Sequence, residues 1–128
     1  MIRISLILIS IFSLLYGLIF LFIPYYFTEL TQADNINIAW LRNIGASICG
    51  TLFIGLIIVY RNPSKTYELF FIITFTSILQ TLGLIFSRFY NEFSAQKILI
   101  IDFTIYSAIF VSLYLTYILL NYSNIFNK

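Results

Sequence analysis

Histidine is absent from this 128-residue chain, cysteine occurs once, proline twice and glycine five times, and charged residues make up only 9%. Each shortage excludes something. Without histidine the commonest general base and the commonest metal ligand are missing, which removes most hydrolase, haem and zinc chemistries. A single cysteine, Cys49, permits no intramolecular disulfide, no CxxC redox pair and no thiolate metal cluster. There is no basic run and no phosphate-cradling glycine loop, so no nucleic-acid or nucleotide partner is expected. No catalytic residue, metal ligand or cofactor emerges from the sequence. The charge deficit has the widest consequence. Soluble domains carry about 25% charged residues, and a chain this poor in charge cannot clothe its surface in water.

What the chain has is apolar: 61% hydrophobic residues, 20% aromatic residues and a mean hydropathy of +0.98. These collect into four runs, about 4–23, 36–60, 66–86 and 98–120, each reaching the roughly 20 residues that a membrane-spanning helix needs. β-branched residues abound, but the runs lack period-two alternation, and four strands could not close a membrane barrel. The expectation is an all-α bundle of four transmembrane helices, forming one membrane domain over 1–128. Pro24 follows the first run, and Asn62-Pro63 offers an N-cap and first-turn proline for the third. Arg3 ahead of the first run resembles a signal-peptide n-region, but the run ends in Ile23-Pro24-Tyr25-Tyr26-Phe27 without a small-x-small cleavage site. It is expected to stay as the first span.

Four spans put both termini on one side. That side collects Arg3, Arg61, Lys65 and Lys128, whereas the opposite loops hold Arg88 and Lys97 with Glu29, Asp34 and Glu92. The bias places both termini in the cytoplasm, with Arg42 as the opposing cation. Tyr25, Tyr26, Trp40, Tyr60, Tyr67, Tyr90 and Tyr122 fall near the expected helix ends, where amphipathic rings anchor at the headgroup level.

The second run carries the densest pattern. Gly45 with Cys49, Ala46 with Gly50, and Ser47 with Thr51 and Gly55 recur every four residues, a spacing that lets a neighbouring backbone approach closely. This helix is expected at the centre of the bundle, its stripe serving intramolecular packing, a dimer seam or a small cavity. Ionisable groups inside a membrane cost about 2.5–3.5 kcal/mol each and usually find partners. Arg42 and Asp102 fall at similar depth near one face, so they are expected to pair, with Arg88 as a second cation and Asn43 as an added hydrogen bond. Such a triad reads as a register-fixing ion pair or as an anion site. Gln80, at the midpoint of the third span, needs a partner, and Thr74, Ser77 and Thr81 give the same helix an inward polar strip. Ser10, Ser13 and Gly17 form a milder strip in the first span.

The pattern Leu41-Arg42-Asn43-Ile44-Gly45-Ala46, Gly50, Gly55, Arg61-Asn62-Pro63, Gly83 and Arg88, with Asp102 early in the last span, resembles the small four-helix bacterial membrane proteins grouped as DoxX-like or as domains of unknown function. That resemblance implies a left-handed four-helix membrane bundle with Arg42, Arg88 and an acidic partner near one face, and it brings no activity. The length is also that of small multidrug transporters, which depend on a glutamate in the first span; none is present here.

Three functional readings follow. The first is a structural or accessory membrane protein that works by helix packing with partners or with itself, for which an outward small-residue stripe would speak. The second is an oligomeric transporter or channel using the Arg/Asp face and Gln80, which requires a water-accessible cavity reaching Gln80. The third is a lipid- or quinone-binding protein. The expected partners are the lipid bilayer and either a second copy or another membrane protein.

Overall fold

The computed structural model describes residues 2–33, 38–93 and 96–126. Asp34, Ile36 and Lys128, used above for the charge balance and the start of the second run, lie outside the described residues. Within them the chain is all helical, with no strand. Helix α1 (Ile2–Phe22) is followed by a short α2 (Pro24–Thr31), then by α3 (Ile38–Arg61), α4 (Tyr67–Phe89), α5 (Ile98–Leu120) and a short α6 (Tyr122–Phe126). The helices α1, α3, α4 and α5 are each long and apolar enough to cross a membrane. The protein is an integral membrane four-helix bundle.

The breaks between helices have local causes. Pro24 ends one helix by starting another: Ile23 adopts φ −127°, ψ 50°, and the proline occupies the first turn of α2, where its missing N–H costs nothing. Gln32 closes α2 at φ 50°, and Asn91 closes α4 at φ 54°. In both turns a backbone N–H reaches back five residues, Ala33 to the Thr28 carbonyl and Glu92 to the Ser87 carbonyl, the pattern of a left-handed C-terminal cap. Asn62-Pro63 departs from expectation. Pro63 opens a 3-10 turn, Pro63–Lys65, and Thr66, not Asn62, stands at the N-cap of α4 without a side-chain cap. The Thr66 hydroxyl is spent backward on the Asn62 carbonyl at 2.8 Å.

The most extensive contacts join α1 to α3 and α4 to α5. The C-terminal half of α3 packs on α4, and α1 meets α5 through two hydroxyl pairs, Ser5 with Tyr114 and Tyr16 with Thr104. The order around the bundle is therefore α1, α3, α4, α5, with α3 diagonal to α5. Each span has two neighbours, so α3 is not central: 28% of its span is buried, the same share as in α1 and α4.

Packing is uneven along the bundle axis. At the end holding the chain termini, Leu6, Val59, Phe70, Leu115 and Ile118 form one core, closed from below by Tyr122 and Phe126 of α6. Tyr122 is thus 5% exposed and donates to the Pro63 carbonyl at 2.6 Å, rather than anchoring at the headgroups. Tyr25, Tyr26, Trp40, Tyr67 and Tyr90 are exposed. At the α2 end the buried cluster shrinks to Ile101 and Ile105 with Ala33, Leu84 and Phe93 packed against them.

Glycines set the α1–α3 distance. A Cβ on Gly45 would lie 2.7 Å from both the Gly17 carbonyl oxygen and the Leu21 nitrogen, and one on Gly17 would lie 2.6 Å from Cys49 Sγ. Small-residue contact of this kind is how membrane helices gain close van der Waals packing where lipid offers no hydrophobic drive. Below it, Cys49–Gly55 runs as a π-helix inside α3, ending at Gly55 against Ile73 of α4.

Candidate functional site

The polar side chains of the membrane region fall into three sets, each placed by a pair of adjacent helices. Arg88 lies in the last turn of α4 and Asp102 about one turn into α5. Because these helices are antiparallel neighbours, the two meet: Arg88 Nε donates to Asp102 Oδ1 at 2.7 Å and a terminal nitrogen donates to Oδ2 at 3.4 Å. The side chains are 37% and 31% exposed, so the pair sits at the rim of the bundle, where solvent and headgroups screen it and its energetic worth is that of a surface ion pair.

The expected Arg42–Asp102 pairing is not formed. Arg42 is exposed and makes no ion pair with any described carboxylate. The helix order explains this, since α3 stands diagonal to α5 while α4, carrying Arg88, stands beside it. The three-group cationic site therefore reduces to one neutral pair, and its guanidinium is already occupied by a carboxylate. Asn43, the expected fourth member, is exposed on α3, away from that pair.

The second set is the inward strip of α4. Ser77, Thr81 and Ser112 of α5 are all about 5–6% exposed and close into a ring. A consistent proton order runs from Ser77 to Ser112 at 2.8 Å, from Ser112 to Thr81 at 2.7 Å, and from Thr81 to the Ser77 carbonyl at 2.8 Å. Every proton in that ring is used. Thr74 is spent on the Phe70 carbonyl and Ser10 on that of Leu6. The ring ties α4 to α5, Thr74 and Ser10 bond within their own helices, and none of these groups has a proton left for a ligand. Ser112 was not singled out from the sequence, although a serine halfway along an apolar span is itself a signal for an interhelical bond.

The third set is the seam between α3 and α4. Gln80 Nε2 donates to Ser47 Oγ at 3.2 Å, which leaves the second amide proton and the amide oxygen of this half-buried side chain for other partners. One helical turn either way from Ser47, Asn43 and Gly50 are exposed, as is Ala46 on the same face. One turn from Gln80, Gly83 is exposed too. A Cβ built on Gly50 or on Gly83 meets nothing within 4 Å. The small residues of α3 thus divide by direction. Gly45 and Cys49 face α1, Gly55 faces α4, and Ala46 and Gly50 face outward.

Among the described residues, Gln80 lines neither of two cavities that open on the surface. One, of about 310 Å³, lies at the termini end by Ser64, Tyr67 and Tyr122. The other, of about 220 Å³, lies among α1, α2 and α5 and is lined by side chains that include Tyr16, Phe20 and Leu30. Among the described residues no group of three or more Cys, Asp or Glu side chains is placed to hold a metal ion. No protein family, curated protein or solved structure matches the chain.

Proposed function

We propose that the protein is a structural or accessory membrane subunit that associates with another transmembrane helix, from a partner or a second copy, through the outward α3–α4 seam. The observation that carries this reading is the uncovered face built from Asn43, Ala46 and Gly50 with Gln80 and Gly83, two of whose glycines have open space where a side chain would stand. In a bilayer, polar groups gain by bonding across helices, and small residues admit the backbone that brings those bonds within reach. A face with amides and glycines together serves both needs. Lipid tails would satisfy neither.

Transport is less well supported, because Gln80 is tied to Ser47 and lines neither cavity. The kinship with DoxX-like four-helix proteins, bacterial origin and cytoplasmic termini belong to the same proposal, with Arg88 and Asp102 as the membrane-rim pair. The test is site-directed photo-crosslinking in native membranes. A photoreactive residue replacing Gly50 should capture one discrete protein band, while the same residue replacing Ile11, a 46%-exposed lipid-facing position of α1, should capture none. Lipid adducts alone at position 50 would overturn the reading.

A further inference from the structure

The apolar cavity among α1, α2 and α5 lies away from the α3–α4 seam and plays no part in the association proposed above. Its walls include Phe20 of α1, Tyr26 and Leu30 of α2, and Ile100 of α5. Of the three hydroxyls on its lining two are consumed within the fold, Thr104 donating to the Ile100 carbonyl at 3.0 Å and Tyr16 donating to Thr104, while Tyr26 stands exposed at the surface. An apolar cavity of about 150 Å³ stays dry and takes a hydrocarbon such as benzene. At about 220 Å³ this one suits a length of hydrocarbon chain and falls below the roughly 300 Å³ at which pockets for whole small molecules begin.

The charges at its end supply the rest. The Lys97 backbone N–H donates to the Thr31 carbonyl at 3.0 Å, and that of Gln96 to the Gln32 carbonyl at 3.2 Å. This fixes Lys97 where the end of α2 joins the start of α5, one residue along from Leu30 on one side and three from Ile100 on the other. Lys97 is exposed and so is Glu29, the residue before Leu30; among the described residues neither is in an ion pair. One cation and one carboxylate, both exposed, thus stand beside the stretches of α2 and α5 that wall the groove, without lining it.

We infer that this groove holds one acyl chain of a zwitterionic aminophospholipid from the leaflet on the α2 side, with the phosphate at Lys97 and the ammonium at Glu29. A purely anionic headgroup would meet Glu29 unfavourably, and a neutral diacylglycerol would leave Lys97 without a phosphate.

Native mass spectrometry of the full chain in mild detergent tests this, titrated separately with phosphatidylethanolamine, phosphatidylglycerol and diacylglycerol of identical chains. One phosphatidylethanolamine should bind more tightly than either of the others. Ile100→Trp, which fills the groove, should abolish that binding, and so should Leu30→Trp at a 42%-exposed position that leaves the core untouched. Lys97→Gln should weaken it about fivefold, the effect of one lysine near a lipid phosphate. Glu29→Gln should erase the preference over phosphatidylglycerol. Undiminished binding to a folded Leu30→Trp protein would overturn the site, and diacylglycerol bound as tightly as phosphatidylethanolamine would overturn the headgroup assignment.

Discussion

The two ends of the bundle are held by different means. At the termini end Leu6, Val59, Phe70 and Ile118 close on one another and α6 seals them with Tyr122 and Phe126. Towards the α2 end the two hairpins are joined by isolated polar ties: Gln80 with Ser47 near the middle of the spans, then Tyr16 with Thr104, and the backbone bonds from Gln96 and Lys97 to α2. Lipid is as apolar as leucine, so in a membrane neither end gains from leaving the solvent. The termini end gains from fit, many small dispersion contacts at once. Between the two hairpins the α2 end gains from a few directed bonds, while inside the α1–α3 hairpin it gains from fit at Gly17 and Gly45. Space is left between those bonds, and both proposals draw on it, the seam between α3 and α4 and the groove between α1 and α5.

The sharpest way to break this comparison is to separate the helices where only glycine fits. Gly45→Leu should cost about 3 kcal/mol or more, because the new side chain meets the backbone of Gly17 and Leu21, neither of which can yield. Thermal unfolding in mild detergent reads this directly. Arg88→Ala removes a rim ion pair worth up to about 1 kcal/mol and should lower the melting temperature more than Arg42→Ala, which removes no described ion pair. Asp102→Asn should fall below Asp102→Ala, since an amide oxygen still accepts from arginine. Equal melting of the two arginine variants would contradict the pairing found here.

Tyr122 probes the termini end through pH. Burial raises its phenol above the usual range. The unfolded chain ionises first, so the contribution of Tyr122 is whole below about pH 10 and fades as pH climbs through the folded value. Tyr122→Phe should remove that alkaline loss while costing about 1 kcal/mol at neutral pH for the bond to Pro63. Ser112→Ala is milder. Interhelical hydrogen bonds in membranes average about 0.6 kcal/mol, and a double-mutant cycle with Ser77→Ala should return a coupling of that order. Smallest of all, Gly50→Ala and Gly83→Ala should leave unfolding unchanged within about 0.5 kcal/mol, since both Cβ atoms enter open space.

The bundle was legible in the sequence because run length and missing charge are enough to choose a membrane and helices. The small-residue pattern of α3 was legible too, but not its division among three directions. That division depends on which helices stand beside α3, and periodicity along one helix does not encode order around a bundle. The same gap misassigned Asp102: Arg42 and Arg88 were both at suitable depth, and only the α4–α5 adjacency selects Arg88. Tyr122 was read as an interfacial anchor from its place after a span. The chain turns at Asn121 and lays α6 under the core, which a short apolar segment after an asparagine could have suggested. Helix α2 is not evident from the sequence, because a proline after an apolar run fits the end of one helix and the first turn of another equally well.

The central claim is that α3 turns one small-residue face inward for folding and another outward for association. Intact-assembly mass spectrometry after mild-detergent purification from native membranes at endogenous expression, comparing the unmodified protein with Gly50→Leu/Gly83→Leu, tests it most directly. The account predicts a stoichiometric complex for the unmodified protein, with itself or with a second chain, and a folded monomer for the variant. A monomer in both, or an unchanged complex in the variant, would contradict it.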